Sequence, residues 1–362
     1  MECGNRNHST LTSPFSAPFL PMDVPPTPSP AAGSGIASLR NALANKQSLS
    51  SAASAAIDAF LATTQRLQLR DRISGISGFE REYMELCWSI DKAPGYEAAL
   101  TVQNKATKAK NRYRDVLPFE KTRVKLQTTT CQPGDDYINA NYIDGGYIAC
   151  CAPVPSAIRD FWHMVWQCDV HVVLMLTNFV ESERLKADLY WDPRGETVDF
   201  DGVRVKLMED QHPTSLGFIV RRLKIWKDGS GEGRVIQHIQ LTTWPDHGVL
   251  RDFRVIAPML DAVNSYRDEA SRRYKVDTRV VVHCSAGIGR SGTFIAVDIL
   301  LKQLRQALMD TINSTEAMKE ALDIPRVVYS LRSQRPGMVQ TPGQYQMIYQ
   351  YLAAVLSDNQ PW

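Results

Sequence analysis

From Ile57 onwards the apolar residues of this 362-residue chain become regular. Phe79, Tyr83, Leu86 and Cys87 recur at helical spacing. Asn139 to Ile148 reads as two short extended stretches around an Asp144-Gly145-Gly146 turn. Phe161, Trp162, Val165 and Trp166 mark one buried helical face, and Val170 to Thr177 reads as a central strand. Val203 to Met208, Phe218 to Trp226 and Val235 to Thr242 look like antiparallel strands. The glycine cluster Asp228 to Gly233 joins the last two as a hairpin turn, because it lacks the spacing and the following helix of a nucleotide loop. Phe253 to Tyr266 is helical by period, and Arg279 to His283 is a short β-branched strand. A Gly-rich loop follows, then a helix carrying Phe294, Val297, Leu301, Leu304 and Leu308; Gln344 to Leu356 reads as a final helix. The pattern predicts an α/β fold, a highly twisted mixed β-sheet flanked by α-helices on both faces.

Ahead of this, residues 1 to about 35 are rich in Ser, Thr, Pro and Ala and bury too little apolar surface to offset ordering entropy. Residues 36 to 62 are Ala/Ser-rich and loosely helical by composition. The expected organisation is a disordered or loosely helical tail over 1–56 and a single domain over 57–358. Ser13-Pro14, Thr27-Pro28 and Ser29-Pro30 are either proline-directed phosphorylation sites or part of an unmodified tail.

Composition narrows the function classes. The chain is 44% hydrophobic and 22% charged, as an ordinary globular protein is. A net charge of +2 gives no basic surface of the kind that engages nucleic acid. The seven cysteines have no paired CxxC spacing, so reduced thiols are expected. Cys150 and Cys151 are adjacent but have no zinc-spaced partners, so no metal is expected. No secretory signal or membrane-length apolar run is visible, so the expectation is a monomer in the cytoplasm, or in the nucleus.

The chemistry concentrates in Val280 to Thr293, which reads as strand, tight loop and helix start. Gly287 and Gly289 let the loop turn its amides inward; such a nest at a helix N-terminus binds a three-oxygen anion. Ser285, Ala286, Gly287, Ile288 and Gly289 are its backbone, and Arg290 closes the ring with a planar two-pronged donor. The same field acts on Cys284, whose free pKa of ~8.5 falls at such positions to ~3.5–7.5. A thiolate beneath a phosphate cup is a nucleophile aimed at phosphorus. His283 is placed to orient the loop, and the Ser291 hydroxyl to stabilise the departing thiolate.

His283 to Ser291 resembles the signature loop of the tyrosine-specific protein tyrosine phosphatases, with the non-receptor type the nearest in character; the resemblance runs from about Arg81 to Gln350 with the motifs in the same order. It implies further roles. Thr243 to Val249, with Trp244 and Pro245, matches the mobile loop and makes Asp246 the general acid. Lys110 to Asp115 matches the phosphotyrosine-recognition loop: Tyr113 would stack on the substrate ring and Asp115 would hold the substrate backbone. Gln334 to Thr341 matches the glutamine loop, in which Gln340 positions the hydrolytic water and Gln344 assists. Glu181 would accept from Arg290 and Lys186 would lie near the phosphate, a solvated surface charge being the alternative for each. Asp136 to Ile143 is a hallmark segment that supports the signature loop.

The resemblance thus implies a hydrolase without cofactor or metal, acting on phosphotyrosine-containing proteins, a signalling kinase among them. Cys284 attacks while Asp246 protonates the leaving oxygen, and water held by Gln340 then cleaves the phosphocysteine. The alternatives are a catalytically weak phosphotyrosine-binding module and a dual-specificity phosphatase. The chain departs from the family pattern at Cys150-Cys151-Ala152-Pro153, where Gln-Gly-Pro is usual after Tyr-Ile-Ala. Met309 to Leu322 is an insertion, expected as a longer loop in preference to a docking element.

Overall fold

The all-buried run Val170–Met175 forms β4, near the middle of a nine-stranded sheet whose order is β1-β2-β3-β11-β4-β10-β9-β8-β7. The computed structural model describes residues 35–44, 49–128, 132–211, 217–245, 248–250, 252–309 and 315–357. The strands are β1 (Arg123–Lys125), β2 (Tyr137–Ile143), β3 (Tyr147–Cys150), β7 (Val198–Phe200), β8 (Val203–Gln211), β9 (Phe218–Trp226), β10 (Arg234–Leu241) and β11 (Arg279–His283), with β5 (Val180–Glu181) and β6 (Arg184–Leu185) as a separate hairpin. β3, β11, β4 and β10 run parallel, and the flanking pairs are antiparallel. Parallel strands need both faces covered, which explains why β4 and β11 are mostly apolar and almost wholly buried.

One face is covered by α5 (Ile158–Gln167), through Phe161, Trp162, Met164 and Val165. The other carries α3 (Gly78–Asp91), α6 (Ile256–Tyr274), α7 (Gly289–Met309), α9 (Ile324–Gln334) and α10 (Pro342–Leu356). Local signals set their starts. Ser77 and Glu80 form a capping box on α3, Asp323 caps α9, and Thr341 caps α10 ahead of Pro342. A five-residue helix, α4 (Lys105–Ala109), leads into the segment expected to recognise substrate.

Two segments depart from expectation. The stretch from 36, expected as loosely helical, carries packed helices, α1 (Ile36–Ala44) and the start of α2 (Ser51–Gln68), and the boundary expected at 57 falls inside α2. Ile36, Leu39 and Leu43 bury one face of α1, and the Ile36 amide donates to Asp261 Oδ1 on α6 at 3.0 Å. In α2 the buried positions are Ala53, Ile57, Phe60 and Thr64. The apolar period is present in both helices, hidden by the Ala/Ser background. The inserted segment holds a helix, α8 (Thr315–Ala321), and not only a loop; Met318 and Ala321 face the core. The disorder expected before residue 35 and the three Ser/Thr-Pro sites lie outside the described residues.

Candidate active site

β11, an interior strand, ends at the C-terminal side of the parallel strands and α7 carries the chain away, so residues 284–288 form a tight loop between a buried strand and a helix N-terminus. Gly287 has φ +69°, and a Cβ there would lie 1.9 Å from the Cys150 carbonyl oxygen, so glycine is required. Outside the loop sits Arg335, fully buried. Its Nε donates to Gly287 O at 2.9 Å and its Nη2 to Ala286 O at 3.1 Å. The same guanidinium donates to Asn141 Oδ1 at 2.8 Å and Asn139 Oδ1 at 2.9 Å. With carbonyls tied outward, the amides turn inward and form an anion-binding concavity.

Cys284 lies on the floor, and the Gly287 amide donates to its Sγ at 3.3 Å. Burial alone would push this thiol up; the Arg290 charge, the Ser291 hydroxyl and the amides of Ser291 and Gly287 outweigh it and hold its pKa below the usual thiol value. The Ser291 hydroxyl is fully buried and, among the described residues, has no hydrogen-bond partner apart from the sulfur it faces.

Arg290 meets Glu181 as a fork: Nη1 to Oε1 at 2.8 Å and Nη2 to Oε2 at 2.6 Å. Both side chains are buried, so Glu181 is no solvated surface charge. Glu181 also accepts from Thr177 Oγ1 and the Asn178 amide, each at 3.0 Å. Burial raises its pKa, while Arg290 and these donors lower it further, and the net direction is down. The pair fixes the guanidinium plane before any anion arrives.

The walls come from three other segments. The Tyr113 hydroxyl lies 2.8 Å from Ser285 Oγ, which donates to Lys186 O at 2.7 Å, so Tyr113 is the donor of the first bond. Arg112 anchors this wall through Ala152 O, Pro153 O and Asp188. Gln344 Oε1 accepts from the Gln340 amide at 2.9 Å. A Cβ on Gly289 would come within 3.0 Å of both glutamine side chains, so they reach over the start of α7. The preceding Val339 has φ 58°, a strained value for a β-branched residue. Tyr83 donates to its carbonyl at 2.8 Å, and Gly292 packs against its nitrogen, holding it there.

These residues enclose a cavity of about 380 Å³ lined by Tyr113, Asp115, Val116, Arg184, Leu185, Lys186, Cys284, Ser285, Ala286, Gly289, Arg290, Gln340 and Gln344. A cavity of similar size, about 410 Å³, between α1, α6 and α7 has no cysteine among its described lining residues. The structure therefore brings together Cys284, Ser285, Ala286, Gly287, Ile288, Gly289, Arg290, Ser291, Tyr113, Asp115, Gln340, Gln344, Glu181 and Lys186. Asp246 lies outside the described residues, between Pro245 and Gly248. Trp244 anchors that loop: its Nε1 donates to Gly248 O at 3.2 Å.

His283 points to the other side of β11. Its Nδ1 donates to Cys284 O at 3.0 Å, so its Nε2 accepts from the Tyr190 hydroxyl at 2.8 Å. His238 Nε2 in turn donates to Tyr190 at 2.7 Å. Burial pushes His283 down to about 4 and His238 well below its ordinary value, so both rings are neutral. Sequence reasoning gave no role to Arg335, Tyr190 or His238. None of the three stood out in the sequence: β10, which holds His238, mixes polar and apolar residues along its length.

The comparisons agree with this geometry. Residues 107–354 match the protein-tyrosine phosphatase family model. The chain is 34% identical over 287 residues to receptor-type tyrosine-protein phosphatase eta of Gallus gallus, covering 78% of this chain and 19% of that protein. It is 38% identical over 257 residues to tyrosine-protein phosphatase 3 of Dictyostelium discoideum, covering 69% of this chain and 25% of that protein. It is 35% identical over 294 residues to receptor-type tyrosine-protein phosphatase F of Bos taurus, covering 80% and 14%. The chain thus spans a minor part of the length of these relatives, receptor-type proteins among them. With more than half of its residues inside the family match, this chain belongs to the protein-tyrosine phosphatase family.

Proposed function

We propose that this chain hydrolyses phosphotyrosine on proteins through a phosphocysteine intermediate, as a phosphatase of the non-receptor type. The observation that carries the reading is the floor of the cavity, where Cys284 Sγ receives the Gly287 amide while Arg290 is locked flat by Glu181. Cys284 attacks phosphorus in line. The loop amides and Arg290 stabilise charge on the equatorial oxygens. Asp246 protonates the phenolic oxygen, then takes the proton of the water positioned by Gln340, with Gln344 holding the Gln340 backbone. The Ser291 hydroxyl stabilises the thiolate as it leaves. Tyr113 and Asp115 form a wall deep enough that a phenyl phosphate reaches the sulfur.

The proposed setting is the cytoplasm, with the nucleus as the other reducing option, because a thiolate of lowered pKa stays active only where thiols remain reduced. The proposed form is a monomer with one catalytic domain over 57–358, extended at its N-terminal side by the first turns of α2 and by α1, which contacts α6. The proposed partners are phosphotyrosine proteins, a signalling kinase among them.

The test is turnover of matched phosphotyrosine and phosphothreonine peptides without added metal, by wild type and by Asp246→Ala. Phosphotyrosine is expected to be favoured by about 10³-fold or more, since a shorter side chain leaves its phosphate short of the nucleophile. Asp246→Ala is expected to lower turnover roughly 10²–10⁴-fold and to retain substrate. Comparable rates on both peptides assign a dual-specificity enzyme, and tight binding without turnover assigns a binding module.

A further inference from the structure

Val339 links the cup to the glutamine that follows it. Its amide donates to Ile288 O at 3.1 Å, and its own φ is 58°. A β-branched side chain disfavours that left-handed angle, which persists only where the surroundings over-determine it. Here the surroundings are two buried donors. The Val339 carbonyl accepts from the Tyr83 hydroxyl at 2.8 Å and from Arg332 Nη1 at 3.4 Å. Tyr83 stands on α3, and Asp91 at the end of the same helix pairs with Arg332 Nη2 at 3.3 Å. Burial pushes the Tyr83 phenol well above its ordinary value, so it stays protonated and remains a donor.

The carbonyl of Val339 and the amide of Gln340 are the two ends of one planar peptide group. The amide end donates to Gln344 Oε1 at 2.9 Å. Tyr83 therefore holds one end of that plane and Gln344 the other. The plane sets where the Gln340 side chain leaves the backbone, and so its reach over Gly289, where a Cβ would lie 3.0 Å from Gln340 Oε1. Relaxation of Val339 to the extended region would rotate the plane and carry that side chain away. Tyr83 itself is not among the residues that line the cavity.

We propose that Tyr83 is a positioning residue for the second chemical step, holding the strained Val339 backbone so that Gln340 keeps its aim on the hydrolytic water. The inference rests on the two-step reading given above. In the first step the phosphoryl group passes to Cys284; Arg290, the loop amides and Asp246 carry its charge and proton, and Gln340 carries neither. In the second step the water oxygen attacks phosphorus, a P–O bond forms and the P–S bond breaks. The electron pair returns to the Cys284 sulfur, the water proton goes to Asp246, and inorganic phosphate is released. Loss of the Tyr83 hydrogen bond therefore slows the second step and spares the first.

Rapid-quench kinetics of the full chain with radiolabelled para-nitrophenyl phosphate separate the steps. The ratio kcat/KM reports events up to phosphocysteine formation, and a chase with unlabelled substrate reports how fast label leaves the protein. Tyr83→Phe is expected to slow the chase about five- to tenfold, the equivalent of one hydrogen bond. Its kcat/KM is expected to stay within about twofold of wild type. The slowing is expected to vanish in a Gln340→Ala background, where no side chain is left to aim. Equal slowing of both steps, which marks a merely structural role, overturns the proposal. So does an unchanged chase, or a Tyr83→Phe effect that persists in full in Gln340→Ala. Wild-type turnover by Cys284→Ser removes the two-step reading itself and this inference with it, so the two failures are distinct. Should Tyr83→Phe fail to fold, Arg332→Lys removes the second donor to the same carbonyl while keeping a cation beside Asp91. It is expected to slow the chase about threefold and is judged by the same outcomes.

Discussion

Cys284 and Cys150 are both buried, at the ends of adjacent parallel strands, and their thiols are driven in opposite directions. Cys150 lies among Ile148, Val281 and Trp162, where burial pushes its thiol far up and the Arg335 charge offsets only a part of that. Cys284 suffers the same burial, but Arg290, Ser291 and two amides face its sulfur. Depth is therefore no measure of reactivity. The number of donors and cations aimed at the group decides it, and those come from the loop at the start of α7.

The strongest way to break this comparison is to exchange the roles by mutation. Cys284→Ser is expected to lower turnover of an aryl phosphate by about 10⁴-fold or more while phosphopeptide binding persists. Cys150→Ala is expected to change turnover by no more than about twofold and to cost about 1 kcal/mol of stability, the loss of one buried sulfur. Steady-state kinetics and denaturant unfolding check both; a dead Cys150→Ala of normal stability would mean that the two thiols share one function.

A smaller effect separates charge from geometry. Arg290→Lys keeps the charge but loses the fork that Glu181 fixes through both oxygens. The expected loss in kcat is roughly 10²–10³-fold. Glu181→Gln keeps the contact and removes its charge, with roughly a tenfold loss expected. If Arg290→Lys matched wild type in kcat, the planar match to phosphate would not be the basis of the site, and a point charge would suffice.

Much of this contrast was legible in the sequence, for a physical reason. The strand, the glycines and Arg290 are close in sequence, so the cup is a local structure that one fourteen-residue segment specifies. β4, β9, β10 and β11 were legible because buried strands leave continuous or alternating apolar runs. What holds the cup from outside was legible only in part: support from the 136–143 segment was expected, but not Arg335, through which Asn139 and Asn141 provide it. Arg335 reaches Ala286 and Gly287 from a distant loop, and Tyr190 bridges His238 and His283 from three separate elements. Such contacts carry no periodicity and emerge only when the chain closes. Helices α1 and α8 were obscured differently, since small and charged residues outnumber the few apolar ones that anchor each.

The last comparison leaves the sulfur itself unchanged and concerns the residue just before Cys284, on the other face of the same strand. His283 donates to Cys284 O and accepts from Tyr190, so it fits only as a neutral ring, with burial pushing it down to about 4. Burial pushes His171 on β4 to about 4 as well. In the unfolded chain both rings take a proton near pH 6.5. Between pH 6.5 and about 4 the unfolded state therefore binds more protons, and stability must fall as the pH is lowered through that window. Above pH 6.5 these two residues add no slope. Each shift corresponds to on the order of 3 kcal/mol at the acid end, read as a decline in urea midpoint between pH 7 and pH 4.5. Tyr190→Phe removes the hydroxyl that His283 accepts from, so it is expected to weaken the protein throughout. It leaves the donors to the Cys284 sulfur in place, so alkylation of Cys284 by iodoacetamide should keep its wild-type pH profile. A profile that moved with Tyr190 would join the two faces of β11 into one titrating unit, and the contrast between the ionised sulfur and its neutral neighbour would no longer hold.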